Sequence, residues 1–365
     1  MTFRPKCTLK LSNGMEFVGE LIGAPLEAAG ELVFTTGMVG YSEALTDPSY
    51  FGQILLFTYP LIGNYGIPPL HRDISIEMSQ GFESDRVHAK AVIVGIDSAE
   101  AFHWSSRQTL DAWLKEQNVP GIAGIDTRHL VHVIREEKMV FGRLIPDSKN
   151  TSESATTASK FFDPSAQEIL HEVSCKKSFR LGKGKKRIGV VDTGVKWNIL
   201  RQLIHHGAEI EVLPWDSDLS KVDVSAWLLS NGPGDPQKTG DLKNRIAGLL
   251  KGDRPILGIC LGHQLLALAA GATTSRMSYG HRSHNQPVQL VGTRKGFITS
   301  QNHGFMVDEK SLPKDWEAWF VNANDQTVEG IRHKSKPFKS VQFHPEAASG
   351  PRDTGWIIEQ FVKEL

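Results

Sequence analysis

Three cysteines, Cys7, Cys175 and Cys260, are all that 365 residues contain. They are odd in number and far apart, which excludes a disulfide framework and a cysteine metal cluster and makes a reducing cytoplasm the expected setting. No run of about 18 apolar residues is present, so no spanning helix is expected. The opening Met1-Thr2-Phe3-Arg4-Pro5-Lys6-Cys7 lacks the apolar core of a secretory signal. Net charge is absent too: Lys+Arg and Asp+Glu are both 41, which argues against a general nucleic-acid binder. There is no internal repeat and no Gly-x-x-x-x-Gly-Lys-[Ser/Thr] phosphate loop. What is present, 40% hydrophobic and 22% charged residues, is the composition of a folded chain, and the length suggests about two to three domains. An enzyme or a soluble binding protein remains.

The composition shifts once. From Asp147 to Ala158 there is almost no large apolar residue, and residues 176–187 hold seven basic side chains and no acidic one. Residues 151–186 therefore read as a linker with one short helix and a solvated basic end, between domains 1–150 and 187–365. Before it, 7–11 and 15–22 flank Ser12-Asn13-Gly14 as a hairpin, and 31–35, 53–58 and 89–95 read as strands. One helix is expected after Ser105-Ser106, carrying Leu110, Trp113 and Leu114. Another is expected from an Asp126 N-cap, carrying Leu130, Val131 and Ile134. The first domain is thus mixed α+β and announces no chemistry.

After the linker, strands at 188–192, 210–213, 224–230 and 255–259 alternate with helices at 197–206, 242–250 and 261–270. Gly207 and Gly271 stop the first and last of these helices. The alternation predicts an α/β domain with a mainly parallel, helix-flanked sheet, whose reacting groups sit at the C-terminal strand ends. Cys260 occupies such an end, within Gly258-Ile259-Cys260-Leu261-Gly262. This is a nucleophile elbow with cysteine at the apex: the glycines clear space for a sharp strand-to-helix turn. The helix N-terminus favours a thiolate, and the Leu261 amide is placed to donate to an oxyanion. A thiol nucleophile needs a base, and the base an orienting group. His344 follows the apolar segment Ser340-Val341-Gln342-Phe343 and precedes Pro345-Glu346. In extended chain His344 and Glu346 point the same way, so the carboxylate fixes the imidazole.

Ser230-Asn231-Gly232-Pro233-Gly234-Asp235-Pro236, the Cys260 elbow continuing His263-Gln264, and His344-Pro345-Glu346 together resemble the class I, triad-type glutamine amidotransferases. The first half resembles the N-terminal domain of the carbamoyl-phosphate synthase small subunit. The text that carries this is Gly40-Tyr41-Ser42-Glu43-Ala44-Leu45-Thr46-Asp47-Pro48-Ser49-Tyr50, Tyr59-Pro60-Leu61-Ile62-Gly63-Asn64-Tyr65-Gly66 and Gly124-Ile125-Asp126-Thr127-Arg128. Gln301-Asn302-His303-Gly304-Phe305 and Gly350-Pro351 fit the same family. One stretch departs from it: Tyr279-Gly280-His281-Arg282-Ser283-His284-Asn285-Gln286-Pro287 is poorer in glycine than usual.

The resemblance implies that Cys260 is the nucleophile, His344 the general base and acid, and Glu346 its partner. It implies an oxyanion hole from the Gly232 and Leu261 amides. Gly234, Gln264, Asn302, Gly304, Phe305 and Ser49 would hold L-glutamine. Gln264, one helical turn past Cys260, faces the same way; Ser49 rests on the family alone, and His303 reads as structural. The resemblance further implies a cytoplasmic heterodimer with a large synthetase subunit serving arginine and pyrimidine biosynthesis. ATP and Mg belong to that partner, and this chain carries no metal or organic cofactor. The alternatives are an amidotransferase subunit of another synthase, a non-catalytic glutamine-binding scaffold, and a cysteine peptidase on a similar elbow. The intact Cys260, His344 and Glu346 set disfavours the scaffold, and the 231–236 loop with Gln264 disfavours the peptidase.

Overall fold

The computed structural model describes residues 4–70, 79–147 and 161–365. The chain divides into two compact units, Met1–Pro164 and Ser165–Leu365.

In the first unit, strands β1 (Lys6–Leu11), β2 (Glu16–Gly23), β3 (Ala28–Thr35), β4 (Gln53–Phe57), β6 (Ala91–Val94), β8 (Pro120–Ala123) and β9 (Phe141–Pro146) close a barrel in the order β1-β2-β8-β6-β4-β3-β9. The short β5 (Leu61–Ile62) and β7 (Ile96–Asp97) pair separately. Alternation explains β1: Cys7, Leu9 and Leu11 are buried and the residues between them are not. The expected hairpin forms, with Lys10 facing Glu16 and Gly14 at φ 89°. Among the described residues of this unit the helices are α1 (Tyr41–Thr46), α2 (Leu110–Glu116) and α3 (Thr127–Glu137). Asp126 caps α3 by accepting from the His129 amide at 2.9 Å. The α3 face that packs on the barrel is Leu130, Val133 and Ile134, with Val131 only half-buried. Helix α2 starts later than Ser105-Ser106, because Thr109 supplies the cap.

The second unit contains α4 (Leu170–Val173), β10 (Phe179–Leu181), β11 (Arg187–Asp192), α5 (Trp197–His205), β12 (Glu209–Pro214), β13 (Ala226–Leu229), α6 (Leu242–Leu249), β14 (Ile256–Ile259) and α7 (Leu261–Ala270). It continues through β15 (Thr274–Leu290), β16 (Gly296–Val307), β17 (Trp316–Asn322), β18 (Val328–His333), β19 (Phe338–Val341) and α8 (Trp356–Lys363). One ten-stranded sheet runs β10-β12-β11-β13-β14-β19-β18-β17-β15-β16. Its middle, β12-β11-β13-β14-β19, is parallel, and β11, β13 and β14 are almost wholly buried, as parallel strands covered on both faces must be.

Two expectations change here. The sheet is mixed: β10 and the run β19-β18-β17-β15-β16 pair antiparallel. The polar sequences of β15 and β16 gave no strand signal, since their pairing rests on backbone hydrogen bonds and not on an apolar face. Nor is 151–186 a free linker over its described part; 151–160 lie outside the described residues. Leu170 of α4 joins the core around Trp227. Strand β10 adds to the sheet edge, and the basic run finds carboxylates: Arg180 pairs with Glu211 at 3.0 Å and Arg187 with Glu209 at 2.9 Å.

Candidate active site

The chain leaves β14 and enters α7 with Cys260 alone between them. Cys260 adopts φ 53°, ψ −105°, which few non-glycine residues adopt. Such a conformation costs about 1–3 kcal/mol and persists only where surroundings impose it. Here they do. The Cys260 amide donates to Val341 O at 2.9 Å and the Gly262 amide to Ser230 O at 3.0 Å, which fixes the peptide plane of Leu261 between them. A Cβ on Gly262 would lie 2.1 Å from Leu229 O, and one on Gly258 2.6 Å from Gly262 O. Both glycines of the elbow are therefore steric requirements, as the sequence pattern suggested.

The 230–236 loop lies beside this turn. Gly232 is bare for the same reason, since its Cβ would meet Thr193 O at 2.0 Å, and Leu261 Cδ2 at 3.0 Å. Gly234 turns at φ 91°. The loop is tied back by Thr193 Oγ1, which donates to Asn231 O at 2.9 Å, and by the Lys196 amide, which donates to Asn231 Oδ1 at 3.1 Å.

His344 forms an antiparallel bridge with Ser300, its amide donating to Ser300 O at 2.9 Å, but the chain does not run on extended to Glu346. Strand β19 ends at Val341, and residues 344–347 form a turn in which the Ala347 amide donates to His344 O at 3.1 Å. The turn still brings the ring to its carboxylate: His344 Nδ1 is 2.7 Å from Glu346 Oε1, and both residues are buried. The Lys196 ammonium sits 3.0 Å from the same oxygen and donates to Ala347 O at 2.6 Å. Helix α5 adds Gln202, whose Nε2 donates to Glu346 O at 3.0 Å.

The charges follow from this packing. Burial pushes the Glu346 carboxyl up, but Lys196 and His344 outweigh it and hold it down at about 2. Burial works against the His344 imidazolium, but the Glu346 carboxylate and Cys260 raise it to about 10. The site thus holds an imidazolium through neutral pH, and its Nε2, the ring nitrogen not taken by Glu346, is buried without a hydrogen-bond partner. Nearby, burial followed by the charges of Lys196 and His344 lowers His284 to about 4, leaving it neutral. The other two thiols are kept protonated, Cys7 at about 12 by burial and then Asp147, and Cys175 by burial and then Asp192.

The candidate substrate residues gather mainly around β16. Asn302 O lies 3.9 Å from Cys260 Sγ. Gln264 is buried, and its Nε2 donates to Phe305 O and to Gln342 Oε1, both at 3.0 Å. Its nitrogen thus holds β16 in place. Phe305 is half-buried beneath the Arg276 guanidinium, 5.6 Å from the ring centre, and is no core residue. His303 is structural: Nδ1 bonds Phe305 O at 2.9 Å and Nε2 bonds Gln301 Oε1 at 3.0 Å. Ser49 lies in the first unit, in a 3-10 turn over Pro48–Tyr50 where its amide donates to Asp47 Oδ1. Among the described residues, His281, His303 and Glu329 bring ligand-type atoms within 4.8 Å of one another. Every ring nitrogen there already has a partner, with His281 held between Glu329 at 3.1 Å and Asp325 at 3.0 Å. That is the arrangement of a buried ion network.

Residues 189–364 match the family described as glutamine amidotransferase class-I, and residues 9–144 match the carbamoyl-phosphate synthase small chain, CPSase domain. The carbamoyl phosphate synthase arginine-specific small chain of Neosartorya fischeri is 42% identical over 369 residues, spanning 100% of this chain and 81% of that one. This chain belongs to the carbamoyl-phosphate synthase small-chain family. The multifunctional protein CAD of Squalus acanthias is 46% identical over 359 residues, which are 98% of this chain and 16% of that protein. The chain therefore spans about a sixth of that relative's length. A solved structure of a glutamine amidotransferase from Thermotoga maritima is 22% identical over 50% of this chain and 85% of its own, with a TM-score of 0.38.

In this small chain, sequence reasoning missed Lys196. Its signal was present: a lysine in the strand-to-helix connection Val195-Lys196-Trp197, directly before α5. A lone lysine at a helix start reads as solvated, and only the fold shows it buried against Glu346.

Proposed function

We propose that this chain hydrolyses the side-chain amide of L-glutamine and delivers the ammonia to a large synthetase subunit, which makes carbamoyl phosphate from bicarbonate and ATP. The observation that carries this reading is the buried line Lys196–Glu346–His344 together with a cysteine held in an elbow. The Cys260 thiolate attacks the carboxamide carbon. The developing oxyanion is met by the Leu261 and Gly232 amides, worth about 3 kcal/mol per donor in comparable sites. The His344 imidazolium gives its proton to the departing nitrogen, so the C–N bond breaks and ammonia leaves a glutamyl thioester. His344, now neutral, takes a proton from water, which attacks the thioester and releases glutamate. Glu346 keeps the ring in one tautomer, and Lys196 keeps Glu346 ionised.

Gly234, Gln264, Asn302, Gly304 and Phe305 would surround the glutamine. Every step is performed by side chains and amides of this chain, so ATP and Mg are assigned to the large partner. Cytoplasmic placement follows from the need for a reduced Cys260; among the described residues, no helix is long and apolar enough to cross a membrane.

The test is carbamoyl phosphate synthesis by the complex captured on tagged chain, with glutamine or ammonium as nitrogen donor. Wild type is expected to use both and Cys260→Ser ammonium alone. Glutamate formed without carbamoyl phosphate would refute the partner assignment.

A further inference from the structure

Helix α7 packs on its sheet by aliphatic contact: Leu265, Leu266 and Ala267 share one core with Ile331 and Phe338. Two polar links interrupt that packing. His263 Nδ1 lies 2.9 Å from Ser340 Oγ, and Gln264 Nε2 donates to Gln342 Oε1 at 3.0 Å. All four residues are buried. Ser340 and Gln342 are two apart at the end of β19, so both point to the sheet face that α7 covers.

These links are costly. His263 Nε2 and Gln342 Nε2 are buried and have no hydrogen-bond partner among the described residues. Each side chain therefore buries two polar atoms and satisfies one, where leucine would bury none. Burial also holds His263 neutral, at about 3, so it brings no charge to the site. The chemical steps above use neither His263, Ser340 nor Gln342.

What the links join supplies their reason. On one side is the first turn of α7, directly after Cys260; on the other is the chain that reaches His344 two residues beyond Gln342. The backbone bond from the Cys260 amide to Val341 O anchors one point between helix and strand, and one point leaves the helix free to turn about it. Apolar contact is non-directional and tolerates small slides, whereas a hydrogen bond fixes distance and direction. Acyl transfer tolerates little slide, since misplacement by about 1 Å costs up to about 10²-fold in rate. We propose that the His263–Ser340 and Gln264–Gln342 hydrogen bonds set the placement of Cys260 relative to His344, which makes His263, Ser340 and Gln342 positioning residues for the reaction. This rests on the functional reading above.

The experiment reads ammonia release from L-glutamine beside Tm, using the full chain with its synthetase partner. Ser340→Ala leaves His263 without a partner and is expected to lower both Tm and kcat. His263→Leu combined with Ser340→Ala removes both partners at once and should restore the wild-type Tm or exceed it. Its kcat should nevertheless stay about tenfold down, with KM changed less than about threefold. His263→Asn, whose amide nitrogen stands where Nδ1 lay, should keep kcat within about threefold of wild type. Gln342→Met should lower kcat in the same way as the double variant. Recovery of kcat together with Tm in the double variant, or a loss that falls on KM, would overturn the proposal. A crystal structure of the double variant separates the two claims. It should place Cys260 Sγ and His344 Nε2 further apart than in the wild-type chain. An unchanged separation would sink the positioning role whatever the chain hydrolyses. A wider separation in a chain whose wild type releases no ammonia would sustain that role and sink the hydrolase reading.

Discussion

The Lys196 ammonium and the Glu346 carboxylate lie 3.0 Å apart, both buried, although one opens α5 and the other follows β19. Removing one partner of a buried pair leaves the other charge uncompensated, which costs about 3–5 kcal/mol. Lys196→Met is therefore expected to lower stability by about 3 kcal/mol. The pH dependence has a definite sign. Glu346 is held down at about 2, so its contribution is present above the ordinary carboxylate range and is lost as pH falls toward 2. Without Lys196 the folded-state value rises, and the acid-unfolding midpoint, followed by circular dichroism, moves to higher pH. An unmoved midpoint would contradict this.

Glu346→Gln keeps the shape of the turn and removes the charge that helps raise His344 to about 10. The imidazolium then loses its proton at lower pH. The alkaline limb of kcat/KM for glutamine should move toward neutral, and the maximum should fall by a factor of about 10²–10⁴, the usual worth of a positioned acid–base group. The pH profile checks the first part and the plateau the second. A lower plateau with the limb in place would mean that Glu346 acts on geometry alone.

Glycine positions separate steric need from ordinary propensity. Gly262→Ala would force a Cβ to 2.1 Å from Leu229 O, a backbone atom that cannot move alone. Loss of more than about 2 kcal/mol and of most activity is expected, as in other overpacked sites. Gly248, inside α6, has nothing within 4 Å of its would-be Cβ. Gly248→Ala should stabilise by about 0.5–1 kcal/mol, read as a higher Tm with unchanged activity.

The sequence disclosed the parts of this protein in which local rules and tertiary structure agree. The β1–β2 hairpin, the Asp126 cap of α3 and the β14–Cys260–α7 elbow each follow from turn chemistry and periodicity within a few residues. The barrel closure did not show, because β8 carries Pro120 and Gly121 and β9 carries Gly142, residues that weaken a strand signal while fitting a tightly packed barrel. Strands β15 and β16 were hidden by their polarity. The His344–Glu346 contact was expected for the wrong local reason: a turn makes it, and extended chain does not. Lys196 was invisible because its burial is set by residues far along the chain.

The account stands most directly on acylation of Cys260. The measurement is the mass of the full chain, quenched in acid within milliseconds of mixing with L-glutamine, for wild type and Cys260→Ser. A glutamyl adduct on the peptide carrying Cys260, present in wild type and absent from Cys260→Ser along with ammonia release, is the predicted result. Glutamine hydrolysis persisting in Cys260→Ser would contradict it.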